Sequence, residues 1–361
     1  MALKIGIIGL PNVGKSTVLN ALTLARAEAS NYPFCTIEKN VGIVDVPDAR
    51  LEKLVKILEP RQVIRDQLHF VDIAGLVEGA HRGEGLGNKF LSHIREVDAL
   101  IHVVRCFADE NVSHVHGEIN PLKDLEVVHL ELALADLDTI KRRREKITRA
   151  AKANPGQYKD ELDLLGQMEE MVERGESLAA SALDLHSPDL QALNLLTTKA
   201  CVVLANVGEE DAAGGGPALQ DLEKALGKGR VLHFSARIEE ELRELPEGER
   251  KEFMTEFGFS EAGLRRLVHC CYDLLDLITF YTDANDILQA WHLPRGAAAG
   301  AAAGKIHTDM EKGFIKAEVI HFEDYCRLGS RAGIQEKGLL RIEGRDYAVQ
   351  DGDVLRIFFK N

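Results

Sequence analysis

Eight residues near the start of the chain, Gly9-Leu10-Pro11-Asn12-Val13-Gly14-Lys15-Ser16, complete the pattern G-x-x-x-x-G-K-[ST] directly after the apolar run Leu3-Lys4-Ile5-Gly6-Ile7-Ile8. A strand that empties into a loop bounded by two glycines, with Lys and Ser at its end, has the local order of a phosphate cradle. Such a loop turns backbone N–H groups inward around a β-phosphate, and a helix starting near Lys15 adds its positive N-terminal end. Lys15 then reaches the β/γ oxygens and Ser16 offers a hydroxyl to Mg²⁺, while Thr17-Val18-Leu19-Asn20-Ala21-Leu22 continues as an amphipathic helix. The chain is therefore expected to bind a nucleoside triphosphate through Asn12, Val13, Gly14, Lys15, Ser16 and Thr17.

A length of 361 residues exceeds one domain, so two or three packed units are expected, and a hydrophobic content of 45% supplies their cores. Short apolar runs at residues 5–10, 41–46, 68–73 and 99–104 alternate with helical patterns, the signature of a mainly parallel sheet in an open α/β nucleotide fold. From Pro121 the texture changes. Leu125, Val128, Leu132, Leu137 and Ile140 follow helical spacing up to the basic run Lys141-Arg142-Arg143-Arg144. Asn154-Pro155-Gly156 breaks the pattern, and Leu162, Leu165, Met168 and Val172 resume it. Residues 121–188 thus read as an antiparallel helical hairpin, with the basic run either a contact face for RNA or a solvated helix face. The sheet resumes at residues 200–206 and 231–235. After residue 275, strand patterns at 277–281, 287–291, 314–321, 339–342, 347–349 and 354–359 mark a separate small α/β unit. The alanine- and glycine-rich stretch 295–304 within it is expected to be a flexible loop.

A net charge of −14 argues against binding nucleic acid through the bulk field, so any RNA or ribosome contact is expected from local basic patches. The six cysteines lack C-x-x-C spacing, which speaks for reduced thiols rather than zinc or a disulfide frame. With no signal region and no apolar stretch long enough to cross a bilayer, the expectation is a soluble cytoplasmic protein without membrane contact.

Val71-Asp72-Ile73-Ala74-Gly75 supplies the D-x-x-G of a switch NTPase, in which the Asp holds Mg²⁺ through water and the glycine N–H senses the γ-phosphate. Between the two motifs, Thr36 in Tyr32-Pro33-Phe34-Cys35-Thr36 is the candidate to close over the ion, the plain alternative being a turn cap. Ser16, Thr36 and Asp72 are the expected metal set. Leu76 stands where many GTPases carry a water-orienting glutamine, so hydrolysis needs another group, with His81, Arg82 and His114 as candidates. In place of a guanine-reading N-K-x-D loop the chain has Asn206-Val207-Gly208-Glu209, lacking both Lys and Asp, and Ser235-Ala236-Arg237 stands where S-A-K would. Loss of that Asp weakens guanine preference, yet Glu209 can still accept from guanine, and spacing leaves the base open. Asn206, Val207, Glu209, Ser235 and Ala236 are the expected base-side residues.

Together these residues resemble one family, the YchF or Obg-like ATPases, translation-factor-related P-loop proteins also described as ribosome-binding ATPases. The resemblance runs through Gly9-Leu10-Pro11-Asn12-Val13-Gly14-Lys15-Ser16-Thr17, Asn31-Tyr32-Pro33-Phe34-Cys35-Thr36, Phe70-Val71-Asp72-Ile73-Ala74-Gly75-Leu76-Val77, Gly83-Glu84-Gly85-Leu86-Gly87-Asn88 and Gly304-Lys305-Ile306-His307-Thr308-Asp309. It implies a Ras-like P-loop NTPase domain at residues 1–120 and 199–275, an inserted helical coiled-coil domain at 121–198 and a C-terminal TGS domain of β-grasp type at 276–361. It also implies Mg²⁺ as cofactor, ATP as substrate in preference to GTP, slow hydrolysis with His114 as the linked residue, and association with the large or small ribosomal subunit, as a monomer. RNA contact is implied through the helical and TGS domains, with Lys337, Arg341 and Arg345 as candidates, the plain alternative being solvated surface charge. The competing expectations are a nucleotide-gated RNA- or ribosome-binding protein with negligible turnover, and a GTPase of the Obg type.

Overall fold

The computed structural model describes residues 3–24, 41–73, 86–109, 119–152, 154–181, 183, 188–214, 216–227, 229–256 and 263–360. Thr36, Leu76, His81, Arg82 and His114 lie outside the described residues. The chain divides into two compact units, one of Lys4–Gly42 and His69–Leu264, the other of Met1–Leu3, Ile43–Leu68 and Arg265–Asn361.

The strands up to residue 234 are β1 (Leu3–Ile8), β2 (Val41–Asp45), β3 (Gln62–Ile64), β4 (Gln67–Asp72), β5 (Ala99–Cys106), β6 (Ala200–Val207) and β7 (Val231–Phe234). All but β3 join one sheet of order β2-β4-β1-β5-β6-β7. Its strands β1, β5, β6 and β7 pair in parallel, with Ile7 opposite Ile101 and Val103 opposite Leu204. Parallel strands need helical crossovers that cover both faces, so a central strand must be buried along its whole length. Every residue of β5 is buried, His102 and Arg105 included.

The helix Pro121–Ala151 starts on Asn120, whose side chain accepts from Lys123 N at 3.1 Å, with Pro121 in the first turn where a missing N–H costs nothing. Ion pairs of Lys141 with Glu173 (2.8 Å), Arg144 with Glu169 (2.7 Å) and Arg143 with Glu161 (2.6 Å) join it to the helix Lys159–Glu173. Three cations of the basic run therefore brace the hairpin instead of standing as bare charge. Ile140, Leu165 and Met168 are buried in its seam. Asp136, also buried, accepts from Leu196 N, Thr197 N and Thr197 Oγ1 at 2.8, 2.8 and 2.7 Å, which fastens the long helix to the segment leading back into β6.

In the second unit β8 (Leu277–Ala284), β9 (Ile287–Pro294), β10 (Phe314–His321), β11 (Arg341–Glu343) and β12 (Asp353–Phe359) join β3 in a sheet of order β11-β10-β12-β8-β9-β3. β8 and β9 form an antiparallel hairpin across Asn285 and Asp286, both with positive φ, and β12 runs parallel to β8. The stretch 295–304 corrects the expectation of a loop: Ala299–Ile306 is a helix, with Ala299 and Ala302 buried against Phe280, Val319 and Leu355. Alanine is the strongest helix former, and its short side chain lets this helix lie close on the sheet. The expected strand at 347–349 is also corrected, to a single bridge between Ala298 and Ala348.

The other face is covered by the helix Ala49–Leu58, whose Leu51 and Leu54 pack with Tyr281, Leu288, Phe322 and Tyr325. Asp48 caps this helix, accepting from Arg50 N (2.9 Å) and Leu51 N (3.4 Å), and its second oxygen accepts from the Tyr281 hydroxyl. Arg50 forks onto Asp351 at 2.8 and 3.1 Å. Asp48→Ala removes the cap and leaves the Tyr281 hydroxyl unpaired, with an expected loss of about 2–4 kcal/mol. The loss is read as a lower urea midpoint, and adding Tyr281→Phe is expected to recover part of it.

Candidate functional site

The loop after β1 turns on three positive backbone angles, at Gly9 (φ 146), Asn12 (φ 62) and Gly14 (φ 97). Both glycines are also forced by space: a Cβ at Gly9 would stand 2.4 Å from Val103 O, and one at Gly14 would stand 2.3 Å from Asn206 Nδ2. The helix Lys15–Leu24 starts immediately afterwards, so its first N–H groups and the positive end of its dipole adjoin the loop.

Lys15 is only 8% exposed, and its Nζ donates to Leu10 O at 2.8 Å. Burial lowers its pKa, and the nearby Asp72 carboxylate offsets part of that shift. Ser16 Oγ donates to Asp72 Oδ2 at 2.7 Å, whereas Asp72 Oδ1 is buried and has no hydrogen-bond partner among the described residues. A hydroxyl and a carboxylate in contact, with one buried oxygen left over, form the hard-oxygen donor set that a small divalent cation takes.

Asn206, near the end of β6, is 4% exposed and uses both ends of its amide within the protein. Nδ2 donates to Val13 O at 3.0 Å and Oδ1 accepts from Ala236 N at 3.2 Å. Val207 is buried in an apolar cluster with Val104, Leu219 and Ile238, which commits its side chain to the core. Ser235 precedes the helix Ala236–Glu244, and its buried hydroxyl has no hydrogen-bond partner among the described residues. Glu209 is ion-paired with Arg237, Oε1 to Nε at 2.7 Å. The phosphate loop, Asp72, Asn206 and Ser235 thus gather at the ends of their strands, where open α/β sheets bind ligands.

Two residues of β5 escape the motif reading. Buried Arg105 donates Nε to Phe107 O (3.0 Å) and Nη2 to Asp109 O (3.2 Å), with its guanidinium 4.6 Å from the Phe107 ring centre, so it shapes the turn after the strand. His102 is buried with Nε2 unpartnered among the described residues; burial first, then the charges of His129 and Lys15, lower its pKa to about 3. Their signal is plain once sought: ionisable residues inside an otherwise apolar run.

A family model described as 50S ribosome-binding GTPase matches residues 4–135, and YchF-GTPase_C, described as a protein of unknown function, matches residues 277–360. The protein named ribosome-binding ATPase YchF of Escherichia coli O157:H7 is 46% identical, over 99% of this chain and 99% of its own length. The chain belongs to the YchF family. The YchF protein of Bacillus subtilis (strain 168) is 44% identical over 99% of this chain and 100% of its own. The solved structure of the Schizosaccharomyces pombe YchF GTPase superposes with a TM-score of 0.88 at 30% identity, covering 99% of this chain and 97% of that one. The resemblance carried by the motifs is thereby met.

In this YchF chain His102 stays neutral when folded but titrates near 6.5 when unfolded, so the unfolded state takes up the proton first and stability falls as pH drops below about 6.5. Between pH 7.5 and 5.0 that single group is expected to remove about 2 kcal/mol. His102→Leu should flatten the urea midpoint against pH over the same range.

Proposed function

We propose that this protein is a Mg²⁺-dependent P-loop ATPase that binds and slowly hydrolyses ATP in preference to GTP and serves as a cytoplasmic nucleotide switch on the ribosome. The observation that carries the reading is the contact of Ser16 with Asp72 beside the buried ammonium of Lys15. Ser16, Asp72 and Thr36 hold Mg²⁺, which when bound offsets the charge of the β- and γ-phosphate oxygens. The main chain of Asn12, Val13, Gly14, Lys15, Ser16 and Thr17 wraps the phosphates, Lys15 binds their outer oxygens, and His114 is the hydrolysis-linked residue.

The relatives' names divide on the base: those of E. coli and B. subtilis are called ribosome-binding ATPases, that of S. pombe a GTPase. Adenine is favoured here because the base loop Asn206-Val207-Gly208-Glu209 carries neither the Lys nor the Asp of a guanine-reading loop. The ribosome as partner rests on the names of the bacterial relatives.

The same reading assigns residues 1–120 and 199–275 to the nucleotide domain, although 43–68 and 265–275 group with the C-terminal unit, and 121–198 to a helical coiled-coil insertion. Residues 276–361 become a monomer's TGS domain of β-grasp type, supported by the mixed sheet crossed by the helix Ala299–Ile306. Lys337, Arg341 and Arg345 are its RNA-facing candidates; Arg345 also donates to Glu311 O at 2.8 Å.

Titration of ATP and GTP, each with Mg²⁺ and with EDTA, tests the proposal. Lys15→Ala is expected to weaken ATP by about 2–3 kcal/mol, roughly 30- to 150-fold, and Ser16→Ala to abolish the gain from Mg²⁺. Unchanged ATP affinity in Lys15→Ala, or tighter binding of GTP than ATP by the natural chain, overturns it. Turnover that ribosomes leave unstimulated while ATP binding persists would favour a gate over a switch.

A further inference from the structure

We infer that Arg237 determines base specificity by occupying Glu209 and so denying guanine a two-point clasp. The inference rests on the proposed preference for ATP over GTP. Glu209 lies in the turn after β6, where its carbonyl accepts from Ala212 N at 3.3 Å. Arg237 is the second residue of the helix Ala236–Glu244, and the N–H just before it, on Ala236, is pinned to Asn206. The two side chains therefore meet across the joint that Asn206 makes.

Glu209 Oε1 stands 2.7 Å from Arg237 Nε, while Glu241, one helical turn along, stays 3.7 Å away. Arg237 therefore stands between two acids, a full ångström closer to that of the base loop than to its helix neighbour. The side chains are 76% and 43% exposed, so the pair adds little to folding. Its weakness suits selection, because a ligand can displace it.

The Watson–Crick edge of guanine carries two adjacent donors, the ring N1–H and the exocyclic amine. A carboxylate presenting both oxygens accepts from both, whereas adenine offers an acceptor at its ring N1 and gains nothing from that arrangement. With Oε1 drawn to Arg237, guanine competes with the guanidinium for that oxygen, and its two-point clasp is weakened as long as the ion pair holds. Adenine has no such cost, so the pair acts against the competitor without adding a contact to the preferred base.

The test measures ATP and GTP dissociation constants for the full chain, Arg237→Ala, and Arg237→Ala combined with Glu209→Ala. Loss of an exposed ion pair corresponds to a roughly two- to fivefold change. Arg237→Ala is expected to tighten GTP relative to ATP by that factor, and the double variant to lose the gain because no carboxylate remains. An unchanged ratio in Arg237→Ala, or a gain that persists in the double variant, overturns the inference. A natural chain that favours GTP overturns the adenine reading; the role of Arg237 is decided by the change in ratio, whatever its starting value.

Discussion

The side-chain amide of Asn206 is the joint on which the site geometry depends. It is buried, and it uses its donor on Val13 O and its acceptor on Ala236 N, so the loop after β1 and the start of the helix Ala236–Glu244 are held at one spacing. Leaving either end of a buried amide unpaired costs about 1–3 kcal/mol, which makes the two contacts mutually dependent. The amide also accounts for Gly14, since any side chain there would collide with it. Arg105, its register partner on β5, fixes the neighbouring turn through Phe107 and Asp109. An asparagine that motif reading assigns to the nucleobase thus serves first as a strut between the phosphate side and the base side.

How much of this was legible in the sequence follows from what a local pattern can report. The strand, glycine loop and helix at residues 3–24 were readable because apolar runs and glycines reflect burial and backbone angle position by position. The hairpin was readable for the same reason. The helix Ala299–Ile306 was hidden because a run of alanine and glycine shows no contrast between faces, although its buried face is as definite as any other. β3, with three residues, is too short to display alternation. Leu51 and Leu54 announce an amphipathic helix, but periodicity does not name the sheet that a helix covers.

The same limit applies to charge. Lys141, Arg143 and Arg144 form a cationic run only when read in one dimension; Glu173, Glu161 and Glu169 neutralise them from the opposing helix. Each pair is weak alone, and their value lies in fixing the helices' register. At the site, Ser16 and Asp72 lie 56 residues apart and meet at 2.7 Å, a pairing that the two motifs foretold and the spacing by itself did not. His102 and Arg105 sit in a fully buried strand whose apolar pattern reports burial but not the role of the two ionisable side chains within it.

Ile43–Leu68 belongs to the same compact unit as the end of the chain, although in sequence it lies between Thr36 and Asp72. The C-terminal unit is therefore no detachable cassette. A gene fusion that exchanged the tail alone would strip Leu51 and Leu54 of their sheet, and a donor tail would have to arrive with a matching insert far upstream. Recombination at one breakpoint cannot supply both pieces, so this architecture favours inheritance of the chain in one piece.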